Sequence, residues 1–285
     1  MPIEQPQSES TYVIDSESAA ETARLMHQDR LITEQIGGLF PLEIDSSKIS
    51  QILDLACGPG GWALAVAHAY PKTQVIGVDI SQTVVRYANA QAWAQGLNNA
   101  HFEVLDILKP LEFDDASIDV VNARLLFGFM LTKAWPGLLR ECMRILRPGG
   151  LICLNECEIG ITNSPASEHL GALFLRAIQR AGMVFSPDAH HLGITPMLGS
   201  LLRAAGLRDI QQRTAVIDYS TGTTIHDAFC QNIMIGSKLA QPFMIKMDVS
   251  TQEELDRYYQ QCLDEVYADD FRGVWYYLRV WGTKP

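Results

Sequence analysis

The sequence predicts an α/β protein in which helices flank a doubly wound, mostly parallel sheet. Short apolar runs alternate with helical stretches through the middle of the chain, a pattern typical of parallel strands joined by right-handed crossovers. The first of these runs leads directly into a glycine-rich turn, which is typical of the ligand-binding edge of such a sheet. The 285 residues are 47% hydrophobic and 19% charged, so the chain has enough apolar material for a full core.

The predicted elements follow one another along the chain. After eleven polar residues that we expect to be frayed, a helix runs from Ser18 to about Gly37, with Ser18 as its N-cap. The strands of the middle region are predicted at Gln51–Ala56, Gln74–Asp79, His101–Leu105, Ile118–Asn122 and Leu151–Glu156. The helices between them are predicted at Trp62–His68, Thr83–Gln95 and Trp135–Leu146. The later helices are predicted at Pro165–Ala181, Pro196–Ala205, 224–237 and 251–267, and the later strands at 207–217 and Gly273–Trp281.

Charge and cysteine content argue against several functional classes. The chain has 33 acidic and 22 basic residues, a net charge of −11, which disfavours nucleic acid as a partner because phosphate backbones attract basic surfaces. The six cysteines form no C-x-x-C pair, so we expect reduced thiols and no metal site. No signal peptide is visible, and the apolar runs are shorter than the ~18–20 residues that cross a bilayer. We therefore expect a cytoplasmic monomer or homodimer without a membrane partner.

The turn after the first predicted strand carries the most information. It reads Ile52-Leu-Asp-Leu-Ala-Cys-Gly-Pro-Gly-Gly-Trp62. Glycine permits positive φ and lets a ligand approach the backbone, while the following helix presents N–H donors at its start. Gly58, Gly60 and Ala63 also satisfy the G-x-G-x-x-G/A dinucleotide pattern. NAD, another adenosine ligand and an empty structural turn therefore remain alternatives at this point.

Acidic residues end the next two predicted strands. Asp79 lies 19 residues after Gly60, close to the ~20 residues expected for a carboxylate that binds ribose hydroxyls. An aspartate there would repel a 2′-phosphate, which disfavours NADP. The alternative role of Asp79, capping the following helix, can be filled by Ser81. Asp106 ends the third strand, so we expect these acids to meet at one rim of the sheet.

These motifs resemble those of the class I S-adenosylmethionine-dependent methyltransferases over about residues 50–157. The family's first motif is matched by Asp54-Leu-Ala-Cys-Gly58-Pro-Gly60-Gly61, its strand-four motif by Val121-Asn122-Ala-Arg124, and its approach to strand five by Arg147-Pro-Gly-Gly150. The resemblance implies a Rossmann-like sheet of seven strands with the last one antiparallel, and S-adenosyl-L-methionine as cofactor with S-adenosyl-L-homocysteine as product. The cofactor-binding residues that it implies are Tyr12, Gln28, Asp54, Ala56, Gly58, Gly60, Asp79, Ile80, Asp106, Ile107 and Asn122.

The same resemblance gives some of these residues specific roles. Asp54 suits the methionine ammonium group and Asp79 the ribose. Asp106 would bind the adenine amino group, with Ile80 beside the ring and the Ile107 N–H facing a ring nitrogen.

Trp62 and the N-terminal segment need separate interpretations. Trp62 departs from the usual glycine pattern, and we expect it to pack in the core. The N-terminal segment is similar to the cap of methyltransferases that act on small metabolites, including the ubiquinone-biosynthesis type. Tyr12 and Gln28 would there bind the methionine carboxylate, with ordinary surface positions as the alternative.

The chain is predicted to have three parts. Residues 1–45 form a helical cap, 46–160 the cofactor-binding core, and 161–285 the substrate-binding helical insertions with the last two strands. Long apolar connections in the third part predict a pocket for a partly hydrophobic small molecule as methyl acceptor. The candidate general bases are Glu156, His190 and His191, with a solvated surface pair as the alternative for the two histidines.

The sequence thus predicts a methyltransferase, in secondary metabolism, that acts by in-line methyl transfer. One alternative is an NAD-dependent oxidoreductase, although no Tyr-x-x-x-Lys pair follows the fourth strand. Another is a non-methylating S-adenosylmethionine-binding protein, either cyclase-like or regulatory.

Overall fold

The computed structural model describes residues 11–41 and 48–285. The predicted boundary between cap and core at residues 45 and 46, and all but the last of the N-terminal residues expected to be frayed, lie outside these ranges. The helices in the described ranges are α1 (Ala19–Gln35), α2 (Gly61–Ala69), α3 (Gln82–Ala94), α4 (Trp135–Ile145), α5 (Pro165–Arg180), α6 (Thr195–Ala204), α7 (His226–Leu239), α8 (Gln241–Lys246) and α9 (Gln252–Val266). The strands are β1 (Gln51–Leu55), β2 (Gln74–Asp79), β3 (Ala100–Val104), β4 (Ile118–Arg124), β5 (Leu146–Cys157), β6 (Ile161–Thr162), β7 (Arg208–Asp218) and β8 (Gly273–Thr283).

The strands form one mixed sheet in the order β3-β2-β1-β4-β5-β8-β7. Strands β1 to β5 are parallel to one another, whereas β8 runs antiparallel between β5 and β7. This arrangement confirms the doubly wound fold and the antiparallel last strand. The short β6 pairs with the start of β8, so the described part of the sheet has eight strands instead of the predicted seven.

Two features of the elements differ from the sequence prediction. Strand β5 starts at Leu146 because this residue already pairs with Ile118, before a shift in register. Helix α8 was not predicted, and it follows α7 after the single residue Ala240. Pro242 stands in its first turn, where a missing N–H costs no helical hydrogen bond, so the chain starts a new helix there.

Both faces of the sheet are covered by helices. On one face, Trp62 and Phe102 belong to the core that α2 and α3 share with the sheet. Trp62 is 2% exposed and its Nε1–H donates to the Leu39 carbonyl at 3.0 Å, which confirms the predicted core position. A larger apolar core on the other face includes residues of α1, α4, α5, α6 and α7.

The N-terminal segment lies across the carboxyl ends of two strands. The Val13 N–H donates to the Gly128 carbonyl, after β4, at 3.0 Å. The Glu17 carboxylate accepts the Ser81 hydroxyl, after β2, at 2.6 Å. These contacts place the segment over the edge of the sheet where the glycine turn lies. In the described ranges, no helix combines the length and apolar character needed to cross a membrane.

Candidate active site

A cavity of about 590 Å³ opens at the carboxyl ends of the parallel strands. Its walls come from the N-terminal segment with α1, from the loops after β1 to β4, and from the helices that follow β5. The sequence-predicted residues that line it are Tyr12, Gln28, Asp54, Ala56, Gly58, Asp79, Ile80, Asp106, Ile107, His190 and His191. Gly60, Asn122 and Glu156 were also predicted for the site but do not line the cavity.

The two motif glycines have different roles. Gly58 has a φ of +53°, and a Cβ added there would meet only Leu25 Cδ1, at 3.7 Å, so its backbone is open to the cavity. Gly60 has a φ of +82°, and an added Cβ would lie 2.6 Å from the Phe102 ring. Gly60 is therefore needed where α2 packs on the sheet, and its predicted contact with the cofactor stays a prediction.

Asp79 joins the end of β2 to the glycine turn. Its Oδ2 accepts the Gly58 N–H at 2.9 Å and its Oδ1 accepts the Ser81 N–H at 3.0 Å. The Ser81 hydroxyl oxygen accepts the Val84 N–H at 3.3 Å, so Ser81 caps α3, as predicted. Each carboxylate oxygen has a second lone pair, so Asp79 can also accept hydroxyl groups from a ligand. Burial raises the pKa of its carboxyl above the ordinary value.

Asp54 is a second buried carboxylate at the cavity wall, 4% exposed. Burial raises the pKa of its carboxyl to about 7, while the hydrogen bond from Asn122 lowers it and the charge of Asp79 raises it. The Asn122 Nδ2 group donates to Asp54 Oδ1 at 2.7 Å. Asn122 thus acts on Asp54 from behind the cavity wall, and its predicted part in cofactor binding stays a prediction.

The sequence did not identify Arg24, which lines the cavity from α1. Its guanidinium binds Glu21 at 2.6 Å and donates to Gln28 Oε1 at 2.5 Å and to Asn232 Oδ1 at 3.3 Å. Tyr12 donates its hydroxyl proton to Glu21 at 2.6 Å, which does not fit its predicted bond to a ligand carboxylate. The oxygen of Gln28 is engaged, so its Nε2 group is the part that suits a carboxylate.

The loops after β2 and β3 form the end of the cavity predicted to hold adenine. Ile80, Asp106 and Ile107 line it. Asp106 Oδ1 accepts the Leu108 N–H at 3.0 Å, and the Lys109 ammonium lies 3.7 Å from Oδ2. The carboxylate is thus held in place by its own loop.

The helices that follow β5 give the rest of the cavity a mainly apolar wall. Side chains that line it there include Leu170, Phe174, Met234, Met244 and Trp275. They come from α5, α7, α8 and β8. This part of the cavity suits an apolar ligand next to the polar rim.

The three candidate bases are placed differently. His190 and His191 are exposed at the edge of the cavity, in the loop between α5 and α6. Glu156 is 1% exposed, away from the lining, and accepts the Leu126 N–H at 2.7 Å. Burial raises the pKa of its carboxyl to about 8. Glu156 is therefore mostly protonated at neutral pH and does not fit the predicted role of base.

Within the described ranges, no three or more His, Cys, Asp or Glu side chains lie close enough together to hold a metal ion.

Comparisons with known proteins agree with the geometry of the core. A family model described as a methyltransferase domain matches residues 52–150. A probable methyltransferase of Aspergillus luteorubrus is 30% identical over 62% of this chain, and the match spans 63% of that protein. A ubiquinone/menaquinone biosynthesis C-methyltransferase of Desulfotalea psychrophila is 34% identical over 57% of this chain and 68% of its own length.

A solved structure shows the fold over nearly the whole chain. Phosphoethanolamine N-methyltransferase 2 of Haemonchus contortus, in complex with S-adenosylhomocysteine, has a TM-score of 0.54 at 17% identity. The alignment covers 95% of this chain and 58% of that one. Its low identity makes it evidence of the fold alone. The sequence relatives and the family model show more: the chain belongs to the class I S-adenosylmethionine-dependent methyltransferases.

Proposed function

We propose that this chain transfers the methyl group of S-adenosylmethionine to a small, partly hydrophobic acceptor. The observation that carries the proposal is a single cavity in which the glycine turn and the strand-end carboxylates adjoin an apolar wall. The polar rim suits the cofactor and the apolar wall suits the acceptor. Both therefore meet in one space from which water can be excluded.

The residues present fit the chemistry of this cofactor. Asp79 has spare acceptor lone pairs for a ribose, and the buried Asp54 carboxylate suits an ammonium group. The Nε2 donor of Gln28 suits the methionine carboxylate, and Arg24 directs it by donating to Gln28 Oε1. The open backbone at Gly58 leaves room for the ligand beside the turn.

The cofactor supplies an activated methyl group on a sulfonium, so the protein's main task is alignment. An acceptor atom must lie within ~3–3.5 Å of the methyl carbon and in line with the breaking bond. The apolar side chains around the acceptor exclude water and suit a step in which the sulfonium loses its charge. His190 or His191 at the edge of the cavity accepts the proton of an acceptor hydroxyl or amine.

A quinone-type acceptor is supported by one relative. The Desulfotalea protein is named for C-methylation in ubiquinone and menaquinone biosynthesis. A prenylated naphthoquinol combines an apolar body with ionisable hydroxyl groups, which matches the two parts of the cavity wall. It is therefore a suitable first probe.

The test uses the full chain with methyl-labelled S-adenosylmethionine and a prenylated naphthoquinol, phenols and amines as acceptors. We expect label in the organic product and an equal amount of S-adenosylhomocysteine, formed only when an acceptor is present. Tight cofactor binding without label transfer to any acceptor class would contradict the proposal and favour a non-methylating protein.

A further inference from the structure

A row of buried polar side chains crosses the sheet behind the cavity. It consists of Asp54 on β1, Asn122 on β4, Asn155 on β5 and Arg279 on β8, all between 1% and 4% exposed. We call these residues the polar ladder. Asn122 donates to Asp54 at 2.7 Å, Asn155 Nδ2 donates to Asn122 Oδ1 at 3.2 Å, and Arg279 Nε donates to Asn155 Oδ1 at 2.8 Å. Only its Asp54 end reaches the cavity.

The direction of these hydrogen bonds is fixed by the chemistry of Arg279. A guanidinium has donors and no acceptor, so Asn155 must turn its oxygen towards it. The amide nitrogen of Asn155 then faces Asn122, whose oxygen must accept it. Asn122 is left with its nitrogen facing Asp54, where a donor favours the ionised carboxylate. Arg279 thus determines, through two amides, which atom is presented to Asp54.

The two ends of the ladder are ionisable groups of opposite sign, and neither takes part in an ion pair within the described ranges. Among the described residues, no basic group lies within ion-pair distance of Asp54 and no carboxylate within that distance of Arg279. Arg279 Nη2 donates to the Gly38 carbonyl, and Nη1 has no partner within the described ranges. A buried charge without a partner is costly, and the hydrogen bonds of the ladder connect the Arg279 guanidinium to the Asp54 carboxylate through two polarised amides.

We propose that Asn155 and Arg279 are positioning residues that hold Asp54 ionised and oriented for the cationic methionine end of the cofactor. The inference rests on the proposed function, since it requires the cofactor at this rim. Neither residue lines the cavity, so their effect reaches the ligand through Asn122 and Asp54. Under the proposed function Asp54 faces the amino-acid end of the ligand, so loss of the ladder should weaken ligands that carry this end and spare those that lack it.

The experiment compares two ligands by calorimetry on the full chain. S-adenosylhomocysteine carries the ammonium group, whereas 5′-methylthioadenosine has the same nucleoside without it. We expect Arg279→Met and Asn155→Leu to weaken S-adenosylhomocysteine at least tenfold and to change 5′-methylthioadenosine less than twofold. Arg279→Lys keeps a donor-only cation and should recover most of the affinity for S-adenosylhomocysteine.

A matched control is available on the neighbouring strand. Arg213 of β7 pairs with Arg279 in the sheet but is exposed, so Arg213→Met removes a charge beside Arg279 and leaves the hydrogen bonds of the ladder in place. We expect it to bind both ligands within twofold of the wild type. This control separates the ladder from a general change in net charge.

The outcomes are distinguishable. If the wild type binds neither ligand, the proposed function and this inference both fail. If the wild type binds both and the ladder variants keep their affinity for S-adenosylhomocysteine, only the inference fails. It fails equally if Arg279→Met and Asn155→Leu weaken both ligands to the same extent, since that result shows a purely structural role. If Arg279→Met does not fold, the affinities of Asn155→Leu for S-adenosylhomocysteine and 5′-methylthioadenosine decide the question.

Discussion

At the scale of single residues, Asp79 has both a structural and a proposed binding role. It holds the glycine turn through the Gly58 N–H, and it is the proposed acceptor for ribose hydroxyls. Asp79→Asn keeps one acceptor oxygen for the turn but removes the charge. We expect it to weaken S-adenosylhomocysteine by roughly 1–3 kcal/mol, as for a lost charged hydrogen bond. Calorimetry checks this, with the exposed Asp114→Asn as the control, and unchanged affinity would remove the ribose assignment.

Glu156 should control the pH dependence of stability. Its pKa of about 8 in the folded protein lies above the ordinary ~4.3 of the unfolded chain. The folded state therefore binds the extra proton, and stability from this group falls as pH rises between these values. Glu156→Gln stays neutral, so its free energy of unfolding should gain on the wild type as pH rises from 5 to 8. The gain is at most ~1.4 kcal/mol per pH unit.

Denaturant unfolding of both proteins at several pH values measures this difference. The burial of Asp54 contributes the same slope to both proteins, so subtracting their curves isolates Glu156. A difference that stays constant with pH would show that Glu156 is ionised in the folded state.

The predictability of single residues depends on how local their signal is. Asp54 and Gly58 belong to one continuous motif and Asp79 ends the next strand at the expected spacing, and all three line the cavity. For Arg24 the sequence offered only the helical spacing of three from Glu21 and four from Gln28, because its third partner, Asn232, is 208 residues away. No pattern in the sequence indicates that Glu156 is buried behind the cavity wall.

At the scale of elements, the glycine turn separates binding from packing. Gly58→Val places a β-branched side chain on the open backbone, so we expect loss of S-adenosylhomocysteine binding in calorimetry. Gly96→Val is the matched control, because Gly96 also has positive φ but nothing lies within 4 Å of its added Cβ. We expect Gly96→Val to lower the free energy of unfolding through backbone strain and to leave S-adenosylhomocysteine binding unchanged. Equal binding by Gly58→Val and Gly96→Val would remove the turn from the site.

The loop between α5 and α6 carries the proposed proton acceptor. We expect His191→Ala to lower turnover about tenfold or more with an unchanged affinity for S-adenosylhomocysteine, because general-base catalysis contributes to the rate and not to cofactor binding. The control is His68→Ala, an exposed histidine at the end of α2. Steady-state kinetics with the labelled methyl donor provide the measurement. If His191→Ala turns over as fast as His68→Ala and the wild type, His191 is a surface residue without a catalytic role.

The helices and strands with strong periodicity were predicted well, and the short elements were not. Strands β1 to β4 occur close to their predicted positions because each is an apolar run between turn signals. The two-residue β6 pairs only with β8, more than 110 residues later, and no local pattern predicts it. Helix α8 escaped prediction because its six residues cover fewer than two turns.

At the scale of the whole molecule, ligand binding should be coupled to stability. A ligand that binds only the folded state stabilises it by about 2.7 kcal/mol at a hundredfold excess over its dissociation constant. We therefore expect S-adenosylhomocysteine to raise the melting temperature by several degrees and NADH to leave it unchanged. Differential scanning fluorimetry measures both, and stabilisation by NADH alone would favour an oxidoreductase.

The sheet order and the cap's position could be expected from the family resemblance, but the joining of distant parts could not. The polar ladder links residues that are 68, 33 and 124 positions apart. Such pairs form because strand register brings them to one face, and register is not readable from one sequence.

Strand β8 follows the other described strands along the chain, yet it lies between β5 and β7. During synthesis on the ribosome, both of its neighbours therefore wait with unpaired edges until residues 273–283 emerge. A nascent chain that stops short of them lacks Arg279, so the buried Asp54 remains without its distant positive charge. Formation of β8 thus joins β5 to β7 and places Arg279 against Asn155 in a single step.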